Sequence, residues 1–206
     1  MEIVIASTNV HKIREFRSLL KSLKHFDVLS LLDFPSYTPL EETGSTFEEI
    51  VSSKAVHAAK TLGKWVLADD SGLIVPALQG HPGIRSARYA GENATDRENC
   101  KKLLSEMHSL QESGRFAYFE CWIAIASPEG LQKIEKGICE GMIIEQERGG
   151  QGFGYDTLFR KHEYSKTFAE LDESIKNRIS HRRKAFDKIS LFLETLEENA
   201  LLDRRV

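Results

Sequence analysis

The apolar positions of this chain switch repeatedly between the two-residue spacing of strands and the three-to-four-residue spacing of helices. Residues 2–6, EIVIA, form a short β-branched run that predicts a first strand. After STN, the residues Val10, Ile13, Phe16, Leu19 or Leu20, and Leu23 recur at helical spacing. DVLSL, from Asp27, predicts a second strand, followed by a loop with Pro35, Pro39 and the acidic turn EETG. A second helix opens near Thr46, where Thr46 and Glu49 make a T-x-x-E capping box. Its apolar positions are Phe47, Ile50, Val51, Ala58 and Leu62. WVLADDSGLIVPAL, residues 65–78, reads as a buried strand, yet Asp69 and Asp70 stand at its centre. The loop QGHPGIRSARYAG ends at another capping box, Thr95 to Glu98. The helix it opens carries Cys100, Leu103, Leu104, Met107 and Leu110 on one face. FAYFECWIAIASP is apolar on both faces, as a central strand is. SPEG is a turn signal, and LQKIEKGICEGMII reads as the antiparallel partner strand, with Gly137 and Gly141 as bulge candidates. After RGGQGFGYD, a final amphipathic helix runs from about His181 to Asn199.

Strands alternating with helices, then a hairpin, predict an α/β fold with a mixed sheet. At 206 residues the chain suits one large domain or two lobes sharing a sheet. The apolar content of 41% and charged content of 29% describe a soluble globular protein. A net charge of −3 carries no global electrostatic footprint for nucleic acid, although a local basic pocket for a small anion is compatible with it. Cys100, Cys121 and Cys139 are odd in number and lack a CxxC pair, which points to reduced structural thiols rather than a zinc site or disulfides. The opening MEIVIAST lacks the features of a signal peptide, and no segment has the length of a membrane span, so a cytoplasmic protein is expected.

Several motifs carry both a chemical and a plain structural reading. STNVHK, Ser7 to Lys12, sits between a strand and a helix, where free N–H groups attract anions and Lys12 adds positive charge. Ser7, Thr8 or Asn9 could equally serve only as a helix cap. Glu49 completes its capping box. Lys54 falls on the apolar stripe of its helix, where it either snorkels to solvent or points at a bound phosphate. RGGQGFGYD fails the G-x-G-x-x-G spacing of a Rossmann turn, and no Walker loop occurs. Phe153, between two glycines, could stack on a nucleobase or cover the core. KNRISHRRKAF is either a solvated helix face or a source of donors, with Lys176 for a phosphate and His181 with Arg182 as hydrogen-bond donors. The acids of DDSG could hold Mg²⁺ beside substrate phosphates, supply a general base for water, or accept backbone N–H groups in a buried turn.

Taken in order, STNVHKIREF, TFEE…SKA, LADDSGL, HPGIRSARYAG, GGQGFGYDTLF, TFAEL and KNRISHRRKAF resemble the inosine triphosphate pyrophosphatase family, the XTP/dITP diphosphatases. The resemblance spans nearly the whole chain. It implies an elongated mixed β-sheet flanked by helices, in two lobes around a substrate cleft, within a single domain over 1–206, and a cytoplasmic homodimer. It also implies Mg²⁺-dependent hydrolysis of a purine nucleoside triphosphate (ITP, dITP or XTP) between the α- and β-phosphates, with no nucleic-acid or membrane partner. By position, Ser7, Thr8, Asn9, Val10, His11 and Lys12 would bind the triphosphate. Asp70 would be the proton acceptor and a metal ligand, with Glu49 a second ligand, and Lys54 and Ser71 would contact substrate. Phe153, Gly154, Tyr155, Asp156, Lys176, His181 and Arg182 would form the nucleoside pocket. Two positions depart from the family pattern: Thr8 stands where many bacterial members have Gly, and FEEIV where many read FEENA. The alternatives are a pyrophosphatase for other modified or ordinary nucleotides and a non-catalytic nucleotide-binding regulator.

Overall fold

A computed structural model describes the backbone of residues 1–203 and the side chains as far as Asn199. In chain order the elements are β1 (Glu2–Ile5), α1 (Val10–Leu20), β2 (Asp27–Ser30), α2 (Phe47–Leu62), β3 (Trp65–Ile74), α3 (Asp96–Glu106), β4 (Phe116–Ser127), β5 (Gly130–Ile143), β6 (Phe159–Lys161), α4 (Glu173–Ile179) and α5 (His181–Asp203). The strands form one six-stranded sheet in the order β2-β1-β3-β4-β5-β6. β1 pairs in parallel with both β2 and β3. Parallel neighbours need crossover connections, which α1 and α2 provide, and a strand covered on both faces is apolar at successive positions, as Ile3, Val4 and Ile5 are after the exposed Glu2. Ile3, Val4 and Ile5 are fully buried. β4 and β5 are adjacent and joined only by Pro128 and Glu129, a tight hairpin, and β6 adds antiparallel to β5. The α/β class with a mixed, helix-flanked sheet therefore stands.

Both helix starts are capped, but the Thr46–Glu49 box closes on one side only, because the Glu49 carboxylate accepts the Ser45 N–H rather than that of Thr46. Thr46 caps α2 by accepting from the Glu49 N–H, and Thr95 and Glu98 make the full reciprocal box at the start of α3. Gly141, a bulge candidate, sits instead in unbroken register opposite Lys161, and a Cβ there would run into the Arg160 carbonyl. It serves close backbone approach rather than a bulge. β3 runs continuously through Gly72.

The chain forms two compact units: residues 1–70, 122–137 and those from Arg182 onward in the first, and 71–121 with 138–181 in the second. The first has an alanine-rich core, in which Ala55, Ala58 and Ala59 of α2 pack with Val4, Val66, Ala68, Ala124 and Ala126. Small side chains on both surfaces bring helix and sheet close, which fixes the backbone that carries Lys54. The second core is aromatic: Phe119 packs on Phe159 and Phe168 at ring-centroid distances of 4.6 and 6.1 Å. Such ring pairs add about 0.5–1.5 kcal/mol beyond their burial. All three cysteines are free and buried. Among the described residues no helix is long and apolar enough to cross a membrane.

Candidate active site

In the first unit the strand-to-helix loop after β1 is built as a cap. The Asn9 side chain accepts from the His11 and Lys12 N–H groups, and Ser7 Oγ accepts from the Asn9 N–H at 3.1 Å. Ser7 is buried, whereas Thr8, Asn9, Val10 and His11 are exposed. Capping and an exposed, amide-rich loop thus coexist in the same residues. No acid occupies the first turn of α1. The Lys12 ammonium instead lies 3.0 Å from Asp69, which offsets a cation placed at the positive end of a helix dipole.

Asp69 and Asp70, on opposite faces of β3 as strand geometry requires, have different surroundings. Asp69 is 1% exposed and bonded to Lys12 and, at 3.2 Å, to Arg182 Nη2. Arg182, equally buried at the start of α5, also pairs with Glu15 and lies over the Phe16 ring. Two cations against two carboxylates make a buried network whose members compensate one another's desolvation. Burial pulls the Lys12 pKa down, but Asp69 and Asp70 outweigh it and the repulsion of Arg182, so the ammonium is held above its ordinary value.

Asp70 is only partly buried, and its pKa is raised to about 6. Burial is the chief cause. Lys12 and Lys54 oppose the rise, while Glu42 and Asp69 add to it. Lys54 directs its ammonium to the Asp69 carbonyl at 3.5 Å and to Glu42 at 3.7 Å, so its position on the apolar stripe of α2 serves this cluster. A carboxylate with a pKa of about 6 is mostly ionised at neutral pH yet basic enough to take a proton, which suits a general base. Glu49, exposed in the first turn of α2, accepts the Ser45 N–H at 2.8 Å. Ser71 follows Asp70 on β3, half-buried.

In the second unit the glycine-rich loop holds an aromatic ring over a buried ion pair. Lys176 Nζ lies 2.5 Å from Asp156 and 4.7 Å from the centre of the Phe153 ring. The same carboxylate accepts the Phe153 N–H at 3.0 Å. Tyr155 is buried, its hydroxyl donating to the Ser86 carbonyl at 2.9 Å. That contact gives the HPGIRSARYAG segment a role as a bracket, further pinned by Asn99, which accepts the Ala90 N–H and donates to the Ala87 carbonyl. His181 stacks on Phe119, 4.8 Å between centroids, and Phe119 stacks on Phe168, which faces Lys176. A cavity of about 260 Å³ is lined by Phe153, Asp156, Asp96, Cys100 and Glu147 among others. The basic run KNRISHRRKAF is therefore not a solvated face at its key positions: Lys176, His181 and Arg182 are all buried.

Sequence reasoning missed Glu42, Glu15 and Asp96. The EETG turn hinted at the first by its acidity alone. Glu15 had a signal, since it sits between the core residues Ile13 and Phe16 of α1. Of the charges that act on Asp70, Lys12 and Lys54 balance Glu42 and Asp69, so an ionised Asp70 is the negative charge in excess. That donor chemistry fits a divalent cation. Among the described residues no three His, Cys, Asp or Glu side chains group as a metal cage. A cation here would complete its shell from phosphate and water, the habit of Mg²⁺.

The profile of the Ham1 family matches residues 3–192. A dITP/XTP pyrophosphatase of Protochlamydia amoebophila is 58% identical over 199 residues, which is 96% of this chain and 100% of that protein. One of the same name from Chlamydia abortus is 53% identical over 99% of this chain and 100% of its own length. Among solved structures, a HAM1 protein from Coxiella burnetii superposes with a TM-score of 0.85 at 43% identity, covering 95% of this chain and 99% of that one. With sequence and fold in agreement over nearly its full length, this chain belongs to the Ham1 family.

Proposed function

We propose that the protein hydrolyses non-standard purine nucleoside triphosphates (ITP, dITP, XTP) to the monophosphate and pyrophosphate, clearing them from the nucleotide pool. The observation that carries this reading is Asp70, a carboxylate with a pKa near 6 beside Lys12 and Lys54, in a chain similar to proteins named dITP/XTP pyrophosphatase. The exposed loop from Ser7 to Lys12 would receive the triphosphate, Lys12 and Lys54 would take up its charge, and Ser71 would contact it. Asp70 would accept the proton of the attacking water as a bond to phosphorus forms and the α–β anhydride bond breaks, with pyrophosphate leaving. Asp70, with Glu49 as the second carboxylate, would hold Mg²⁺, which supplies charge neutralisation on the phosphate oxygens.

Base choice follows from donors and acceptors. Hypoxanthine and xanthine present a 6-keto acceptor where adenine presents an amino donor; guanine shares the keto group and is set apart only by its 2-amino group. With Phe153 stacked on the ring, donors from His181, Arg182 and the loop Phe153–Asp156, near Lys176, would pair with the keto oxygen and leave adenine unmatched. Sites built on such a bond discriminate by roughly 10⁴–10⁵-fold. The family resemblance also supports a single-domain cytoplasmic homodimer, which sedimentation at working concentration would read. The direct test is turnover of ITP, dITP, XTP, ATP and GTP with and without Mg²⁺. The expected result is pyrophosphate release from the first three, dependent on the metal. Orthophosphate as product would indicate a phosphatase, and binding without turnover a regulator; either outcome contradicts the proposal.

A further inference from the structure

Phe153 is flanked by Gly152 and Gly154, both in the left-handed region at φ +78° and +60°. Local sterics therefore do little to fix where its ring points. A stacking platform must be fixed before the base arrives, or the entropy of ordering it is lost from binding. One anchor is already described: Asp156 accepts the Phe153 N–H. The other comes from α3. Asp96, its first residue, accepts the Gly154 N–H at 2.6 Å, and Cys100 one turn later donates its thiol to the Gly154 carbonyl at 3.5 Å. The two consecutive amides, Phe153 and Gly154, thus each end on a carboxylate. The Cys100 thiol stays protonated, its pKa pushed up to about 12 chiefly by burial, and so remains a donor. α3 does not need Asp96 to start, because Thr95 and Glu98 cap each other.

We propose that Asp96 is a positioning residue for purine recognition, holding the Gly152–Gly154 turn so that Phe153 is preset to stack on the base. The proposal rests on the nucleotide reading above, and its test separates the two. In the nucleotide-free protein, exchange of the Gly154 amide followed by NMR should quicken by about tenfold or more in Asp96→Ala and stay near wild type in Asp96→Asn, whose amide oxygen can still accept. With ITP as substrate, Asp96→Ala should raise KM about tenfold while kcat stays within about twofold, and Asp96→Asn should restore KM. In a Phe153→Ala background the Asp96→Ala change should add little to KM, because the ring it positions is gone. Unaltered Gly154 exchange, or KM effects that multiply in the double variant, would overturn the proposal. If wild type released no pyrophosphate from ITP, the nucleotide reading would fail while the exchange experiment still decided whether Asp96 anchors the loop.

Discussion

Asp69 and Asp156 are both buried carboxylates held by a buried cation, one in each unit, but they are mounted differently. Asp69 sits mid-strand and pairs with side chains from two helices, Lys12 of α1 and Arg182 of α5. Asp156 sits on a loop and divides itself between the Lys176 ammonium and a backbone N–H. The first arrangement neutralises charge inside a rigid frame, and leaves the next residue, Asp70, as the group whose proton is loosely decided. The second spends its charge on holding a turn and a ring. Under the proposed function, phosphate chemistry and base recognition would call on the same kind of ion pair for different ends. The first needs a fixed field, the second a fixed orientation.

The difference can be broken at either end. Asp69→Ala removes one member of the buried network and leaves Lys12 and Arg182 facing Glu15 with excess positive charge. Stability in urea at pH 7 should fall by about 3–5 kcal/mol. Phe153→Ala should leave the urea midpoint almost unmoved and cost about 1–3 kcal/mol of base stacking, read as roughly a 10- to 100-fold rise in KM for ITP.

A third effect is a pH dependence of stability in metal-free buffer. Asp70 has a folded pKa of about 6 against an ordinary 3.8, so the folded chain holds its proton more tightly than the unfolded chain. Its stabilising contribution is complete below about pH 4 and is lost as the pH rises through 6. Relative to Asp70→Asn, which cannot titrate, wild type should therefore lose about 2–3 kcal/mol across that window. Paired urea titrations at pH 4 and 7 in EDTA would measure it.

Much of the frame was legible in the sequence because its signals are local. The boxes at Thr46–Glu49 and Thr95–Glu98 and the β-branched run 2–6 each announce an element without help from the rest of the chain. The elements that escaped are short. β6 is three residues, too few for an alternation, and α4 is seven residues without a strong apolar stripe. The site was legible in its membership more than in its pairings. Strand geometry separates the faces of Asp69 and Asp70 but does not say which is buried; Arg182, 113 residues further on, decides that. The residues around Lys176 left a solvated face and a binding role both open because its partner Asp156 lies 20 residues away, and Asp96 meets Gly154 across 58. Such pairs are set by the fold, and no window along the chain contains both partners.

Under the proposed function the adjacent acids would divide the work, Asp69 sustaining the frame and Asp70 moving the proton. Steady-state pyrophosphate release from ITP with Mg²⁺, by Asp70→Asn protein whose urea midpoint has been checked, tests it most directly. The account predicts a folded protein with kcat reduced by roughly 10²–10⁴-fold. A folded Asp70→Asn variant with near-wild-type kcat would contradict it.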